Sequence, residues 1–548
     1  MNRRKVPLRK ETVQIPGLGS LQGWRYENGV QQFFGVPYAR LSKRWTRATL
    51  ATEWEGQFHD GSKLGPHYPP PLEYPIQEDP LTPMEELDWP EFEWPRDDLN
   101  CLNMNIVTPS QSDCAVPGPY PVMVWIHGGA YFFGGNYMPI FDMANFVSHS
   151  LENNLPVVVV SINYRLGIGG FLASEQIKQD LETDGYSGVG NFGLTDQQVA
   201  LEWVQKYIHQ FGGDPNSVTI FGESAGGISV AQQISAANPP VFHRAILMSG
   251  SLHLIENWAL DRHQQRFDNL LRYVGISPED PEALQKLRGL PEATLTQATF
   301  HAEPSDFTVY HPCWDGVFHA SRPSLDFGSS LPPWLDSVMV GDTLHEGELW
   351  RDVVSKHDVS FFRQRMSKHM SSSELNRIFD LYNITEQSSH NEIIDAMVQM
   401  CGDANFKIAN YILAHKSPIP RTFAYHIDQT STVESAVKDQ AHHAIDLSYV
   451  FLNARADITK EQVALAEKMA LDWLTFANTK DPWEPFHARQ RWVIYGGEQV
   501  QHKWNLLTED EDEATRNYTR TEALLREKLY GKLLLAIDDI GYERYRLP

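Results

Sequence analysis

The chain has 548 residues, 42% of them hydrophobic and 11% aromatic, with a formal net charge of −24 at pH 7. That acidic balance argues against nucleic acid and anionic membrane as main partners, because both repel it. No run of eighteen apolar residues occurs, so no stable membrane insertion is expected.

The start, Met1 to Lys10, is basic but lacks the apolar stretch of a secretory signal. Four cysteines, Cys101, Cys114, Cys313 and Cys401, are too few and too scattered for a disulfide framework or a zinc cluster. The expected compartment is intracellular, most simply the cytoplasm. The sequons at Asn383 and Asn517 are then better read as chance.

Short strands joined by turns are predicted in the first forty residues, with Thr12-Val-Gln-Ile15, Pro16-Gly-Leu-Gly19 and Gly29-Val-Gln-Gln-Phe-Phe34 in succession. From His67 to Asp98 the chain is crowded with proline and tryptophan, and ten acids face one Arg96. Eight prolines forbid a long helix or a central strand there. The segment reads equally as a solvated surface loop or as a lid.

Two apolar runs, Pro121 to Ile126 and Pro156 to Ile162, lack polar alternation and suit parallel strands covered on both faces. Leu194-Thr195-Asp196 is expected to open a helix carrying Val199, Trp203, Val204, Tyr207 and Ile208 as its apolar stripe, ended by Phe211-Gly-Gly-Asp-Pro215. Strand and helix alternate on through Arg244 to Gly250, which means an α/β fold with a mostly parallel sheet. Residues 255–335 hold no clear strand and are expected to form a helical and loop insertion. Further strands are predicted at Ser337 to Gly341 and Thr422 to Ile427. Thr459 and Gln462 form a capping box for a helix reaching Asn478, and a last helix is expected from Glu522 to Ile537. No repeat and no linker divides the chain.

Within this frame, Val218 to Phe221 reads as a buried strand running into Gly222-Glu223-Ser224-Ala225-Gly226. A strand, a sharp turn and a helix are the context in which G-x-S-x-G places a nucleophilic serine. The glycines stand where side chains would block the turn. A serine hydroxyl needs a base, and chains with this elbow place an acid and then a histidine downstream. Glu346, on a loop after the strand ending at Gly341, is the candidate acid; Asp342, His345 and Glu348 are its neighbours. For the base, His442 and His443 are equal on residue chemistry alone. Gly128 and Gly129, at a strand end, are candidate oxyanion donors with the N–H of Ala225. No His/Cys set supplies a metal site, and no cofactor is called for.

Together the residues resemble the cholinesterase-like, type-B carboxylesterase and lipase branch of the α/β-hydrolases. The matching segments are Phe34 to Ala39, His127-Gly-Gly-Ala130, Asn191 to Gln197, Phe211 to Pro215, Gly222 to Gly226, Glu346-Gly347 and His443 to Phe451. The resemblance implies a single α/β-hydrolase domain over residues 1–548 despite the length. It selects His443 over His442 as the base and Glu346 as the third member of the triad. It places Ser249 behind the acid and base, with Glu223 grouped beside it. It also puts the acidic loop at the mouth of a gorge. The family's early disulfide is not matched: Tyr68 stands where the first cysteine would be, while Cys101 keeps the second.

The implied activity is hydrolysis of a small to medium, neutral carboxylic ester through an acyl-enzyme. A lipase and a choline esterase are the alternatives within the family. A non-catalytic binding protein is the rival of a different class, but members of that kind lose triad residues, and this chain keeps all three. The implied partner is a small-molecule ester; oligomeric state is not indicated.

Overall fold

The structure is a computed structural model that describes residues 7–69, 95–110, 114–252, 254–301, 310–320, 324–455 and 458–541. The N-terminal strands are β1 (Pro7–Ile15), β2 (Gly19–Tyr26) and β3 (Val30–Pro37), followed by a small ribbon of β4 (Ala39–Arg40) and β5 (Thr49–Leu50). Next come β6 (Phe58–Asp60) and β7 (Asn103–Pro109). The unbroken apolar runs become β8 (Tyr120–Ile126) and β9 (Val158–Ile162), and the elbow strand is β10 (Gly213–Glu223). The rest are β11 (Arg244–Met248), β12 (Ser337–Thr343), β13 (Thr422–Ile427), β14 (Arg491–Tyr495) and β15 (Trp504–Thr508).

Among the described residues, thirteen of these strands form one sheet in the order β1-β2-β3-β7-β9-β8-β10-β11-β12-β13-β14-β15, with β6 beside β2. Every neighbouring pair from β9 to β14 is parallel. Antiparallel pairs close both ends. This is the mostly parallel sheet of the α/β-hydrolase fold. Both faces of the parallel block are covered, which is why its strands need no polar alternation. Val122 and Val124 of β8 enter one core and Met123 and Trp125 the other. Because the strands run the same way, the chain leaves β8, β10, β11, β12 and β13 at one edge. Gly128, Ser224, Ser249, Glu346 and His443 all follow those exits.

Two helix boundaries differ from expectation. The helix expected from Leu194 spans Phe192–Tyr207, and its N-cap is Asn191, held at φ 55°. Asp196 does not cap it; the carboxylate is fully buried and receives Arg165 Nε at 2.7 Å and Nη2 at 2.6 Å. The last helix is two helices, Tyr518–Arg526 and Tyr530–Gly541. Lys528 adopts φ 57°, and Leu529 N–H donates to Leu524 O (2.8 Å) while Lys528 N–H donates to Leu525 O (3.1 Å). These are the paired bonds of a Schellman stop, sealed by burial of Leu524 and Leu529. A lysine in place of the usual glycine hid it. The helix Lys460–Ala477 begins at Thr459 with both capping-box bonds formed.

Between β11 and β12 the described residues form three α-helices, Leu260–Tyr273, Ala283–Arg288 and Glu292–His301, and no sheet strand. Their apolar faces join the core that also packs β8 and β10. Most of the acidic loop, residues 70–94, lies outside the described residues, and so does any lid it forms. Its described ends are tied together by His67 N–H to Pro95 O (3.0 Å) and Asp97 N–H to His67 O (3.1 Å). Cys101, Cys114, Cys313 and Cys401 form no disulfide with one another. Tyr68 packs so closely on Gly169 that a Cβ there would lie 2.2 Å from its hydroxyl oxygen. No helix among the described residues is long and apolar enough to cross a membrane.

Candidate active site

Ser224 stands between the end of β10 and the helix Ala225–Ile234, at φ 54° and ψ −123°. Such a backbone costs a non-glycine residue roughly 1–3 kcal/mol, so its surroundings must impose it. Ser224 N–H donates to Met248 O at the end of β11, and Ile228 N–H donates to Ser224 O, each at 2.9 Å. The flanking glycines are a packing requirement. A Cβ on Gly226 would lie 2.0 Å from Ile126 O, and one on Gly222 2.4 Å from the Gly226 carbonyl carbon. Ala225 is the first residue of the helix, where backbone N–H groups have no intrahelical acceptor and favour negative charge.

The exits of β12 and β13 bring Glu346 and His443 together. Glu346 is fully buried at the start of the short turn Glu346–Trp350. Its Oε1 accepts the Ser249 hydroxyl at 2.6 Å and Thr343 N–H at 2.8 Å, and its Oε2 lies 2.6 Å from His443 Nδ1. On the other side of the imidazole, Nε2 lies 3.0 Å from Glu223 Oε1. No hydrogen bond joins the Ser224 hydroxyl to His443 among the described residues. Burial disfavours the imidazolium, but the Glu223 and Glu346 carboxylates outweigh it and push the His443 pKa well above its ordinary value. His442 turns Nδ1 to the His443 carbonyl oxygen (2.7 Å), and burial lowers its pKa to about 4.

Gly128 runs past the elbow: a Cβ on it would lie 2.7 Å from Glu223 O and 3.2 Å from the Ser224 Cβ. Gly129 follows at φ 99°. The preceding residue is anchored, with Tyr164 donating its hydroxyl to His127 O (2.8 Å) and the two rings stacked at 4.4 Å. A backbone held this close to Ser224, opposite a helix start, is suited to receiving a developing oxyanion.

The sequence profile of the carboxylesterase family matches residues 9–529. The chain belongs to the carboxylesterase family. It is 27% identical over 493 residues to Lipase 3 of Yarrowia lipolytica, a match covering 86% of this chain and 90% of that protein. It is 28% identical over 488 residues to the para-nitrobenzyl esterase of Bacillus subtilis, covering 85% and 91%. A solved carboxylesterase of Geobacillus stearothermophilus is similar with a TM-score of 0.72 at 25% identity, covering 92% of this chain and 99% of that one. This carboxylesterase-family chain is thus a serine ester hydrolase of α/β-hydrolase fold.

Two neighbours of His443, Asp446 and Phe406, have no role in the sequence reading, and neither has His345 beside the acid. Asp446, three residues on, is fully buried; burial and then the Glu223 and Glu346 charges push its carboxyl well above the ordinary range. Its spacing from His443 was the available signal. Phe406 lies on a π-turn, Asp403–Lys407, with its ring 4.8 Å from that of His443. No local pattern links an aromatic residue 37 positions upstream to a histidine. His345 was noted only as a neighbour of the acid, yet it joins the two loops.

Proposed function

We propose that the chain hydrolyses small to medium, neutral carboxylic esters, with Ser224 as nucleophile, His443 as base and Glu346 as the acid that orients it. The observation that carries this reading is the unbroken chain of short bonds from Ser249 through Glu346 to His443, set beside a strained serine. For the reaction to start, Nε2 exchanges Glu223 for the Ser224 hydroxyl; such contacts commonly tighten only when substrate binds. His443 then takes the serine proton as the oxygen attacks the ester carbonyl. Gly128, Gly129 and Ala225 donate their N–H groups to the oxyanion, each worth roughly 3–4 kcal/mol of barrier. His443 returns the proton to the leaving alcohol, and water repeats the sequence to free the acid.

Long-chain lipid esters are the second reading, favoured by the similarity to Lipase 3 of Yarrowia lipolytica. Four cysteines that are mostly buried and not joined in disulfides support an intracellular, reducing compartment. The test is a panel of p-nitrophenyl esters of graded acyl length, with and without emulsified lipid, run on the wild type and Ser224→Ala. Ser224→Ala should lose hydrolysis and fluorophosphonate labelling together; labelling that survives would mean the nucleophile is misassigned. A rate that jumps on emulsified long-chain ester would favour the lipase reading.

A further inference from the structure

The acid and base of the proposed triad lie 97 residues apart and on separate loops. The ladder between β12 and β13 ends at Thr343 and Ile427, and Leu344 N–H adds one bond to Ile427 O (2.9 Å). From there the chains part. Asp428 and Gln429 turn away, each donating its N–H to Tyr495 O of β14. The excursion then closes on itself, with Ser431 N–H to Gln440 O and Asp439 N–H to Ser431 O, both 2.8 Å. The chain comes back beside the acid loop only at Ala441, two residues before His443.

His345 meets it there with two bonds. Its main-chain N–H donates to Ala441 O at 2.8 Å, and its Nδ1 accepts the Ala441 N–H at 2.9 Å. His345 and His442 are paired as a parallel bridge. The imidazole thus continues the parallel ladder past the point where main-chain acceptors run out, one residue from Glu346 on one side and two from His443 on the other. We propose that His345 is a positioning residue that keeps the acid-bearing and base-bearing loops in register, and so sets the Glu346–His443 contact. This role rests on the triad reading above.

The acceptor role requires an unprotonated Nδ1. Burial, reinforced by Lys407 and Arg516 against the opposing Glu348 and Asp428, lowers the His345 pKa to about 4, so the ring remains neutral where an esterase works. His442, across the bridge, is neutral for the same reason. Asparagine presents Oδ1 at the same branch of the side chain as Nδ1 and also accepts, whereas leucine fills the space without accepting.

The experiment compares His345→Leu and His345→Asn in the full chain on a p-nitrophenyl ester, with active-site titration to count folded enzyme. His345→Leu should lower kcat about 10- to 100-fold, the scale of a misplacement near 1 Å, with KM within about twofold. The rate of fluorophosphonate labelling of Ser224 should fall by the same factor. His345→Asn should recover most of the loss. A leucine variant as active per titrated site as wild type, or an asparagine variant no better than leucine, would overturn the clamp. Ser224→Ala, run alongside, separates the two claims: if it stays active, the triad reading fails first and takes the clamp with it.

Discussion

Replacing Glu346 by glutamine is the sharpest perturbation of the site because it changes charge and donor pattern but almost no volume. The Oε1 position receives two donors, the Ser249 hydroxyl and the Thr343 N–H. The amide oxygen of glutamine must occupy that position, since the Thr343 N–H cannot accept. The amide NH2 then faces His443 Nδ1, 2.6 Å away in the wild type. A donor facing Nδ1 forces the ring proton onto Nε2, the nitrogen that has to accept from Ser224. The charge that stabilises the imidazolium is lost as well. Loss of the corresponding carboxylate in a Ser-His-Asp site costs about 10⁴ in kcat, equivalent to about 5.4 kcal/mol of barrier. We expect Glu346→Gln to lose about that much of kcat, with KM little changed. The thermal midpoint should stay close to wild type, because the hydrogen-bond count is nearly kept. Steady-state hydrolysis of a p-nitrophenyl ester, referenced to Ser224→Ala, measures it. A variant within about tenfold of wild type would refute the orientation argument.

The pH dependence follows from Glu223. His443 acts as base only when neutral, and its raised pKa places the acid limb of kcat/KM above the ordinary histidine range. Glu223→Gln removes one of the two charges that favour the imidazolium, so the limb should move to lower pH; an unchanged or upward-shifted limb would contradict the charge argument. His443→Ala should cost several orders of magnitude in kcat while His442→Ala stays mild, since the latter ring bonds only to a main-chain carbonyl; equal losses measured in parallel would reject the assignment. Gly226→Ala would put a Cβ 2.0 Å from Ile126 O, a contact that neither main-chain segment can relieve. Soluble yield and fluorophosphonate labelling should both collapse, and a fully labelled, well-folded variant would show that the elbow yields.

Much of the frame was legible because it rests on neighbours in the chain. The apolar runs of β8 and β9 declare two-sided burial, and Thr459 with Gln462 declares a helix start. Gly222 and Gly226 mark a turn in which their own backbones touch a strand. Local rules failed where a residue answers to something distant. Leu194-Thr195-Asp196 looks like a helix start, but the helix begins earlier and Asp196 is turned inward by Arg165. Lys528 ends a helix in a left-handed conformation that composition does not advertise.

The candidate site divides along the same line. Local pattern was enough to mark the elbow, the glycine strand end, and a short set of acids and histidines in order after the serine. Residue chemistry alone could not choose between His442 and His443, and the resemblance favoured His443. It is the packed fold that turns His443 toward Glu346 through one nitrogen and toward Glu223 through the other. The same holds for the buried Asp446 and for His345 reaching Ala441. Contacts spanning about a hundred residues depend on which strands lie side by side and where each one stops. That register is set by the packing of the whole sheet, and no local segment contains it.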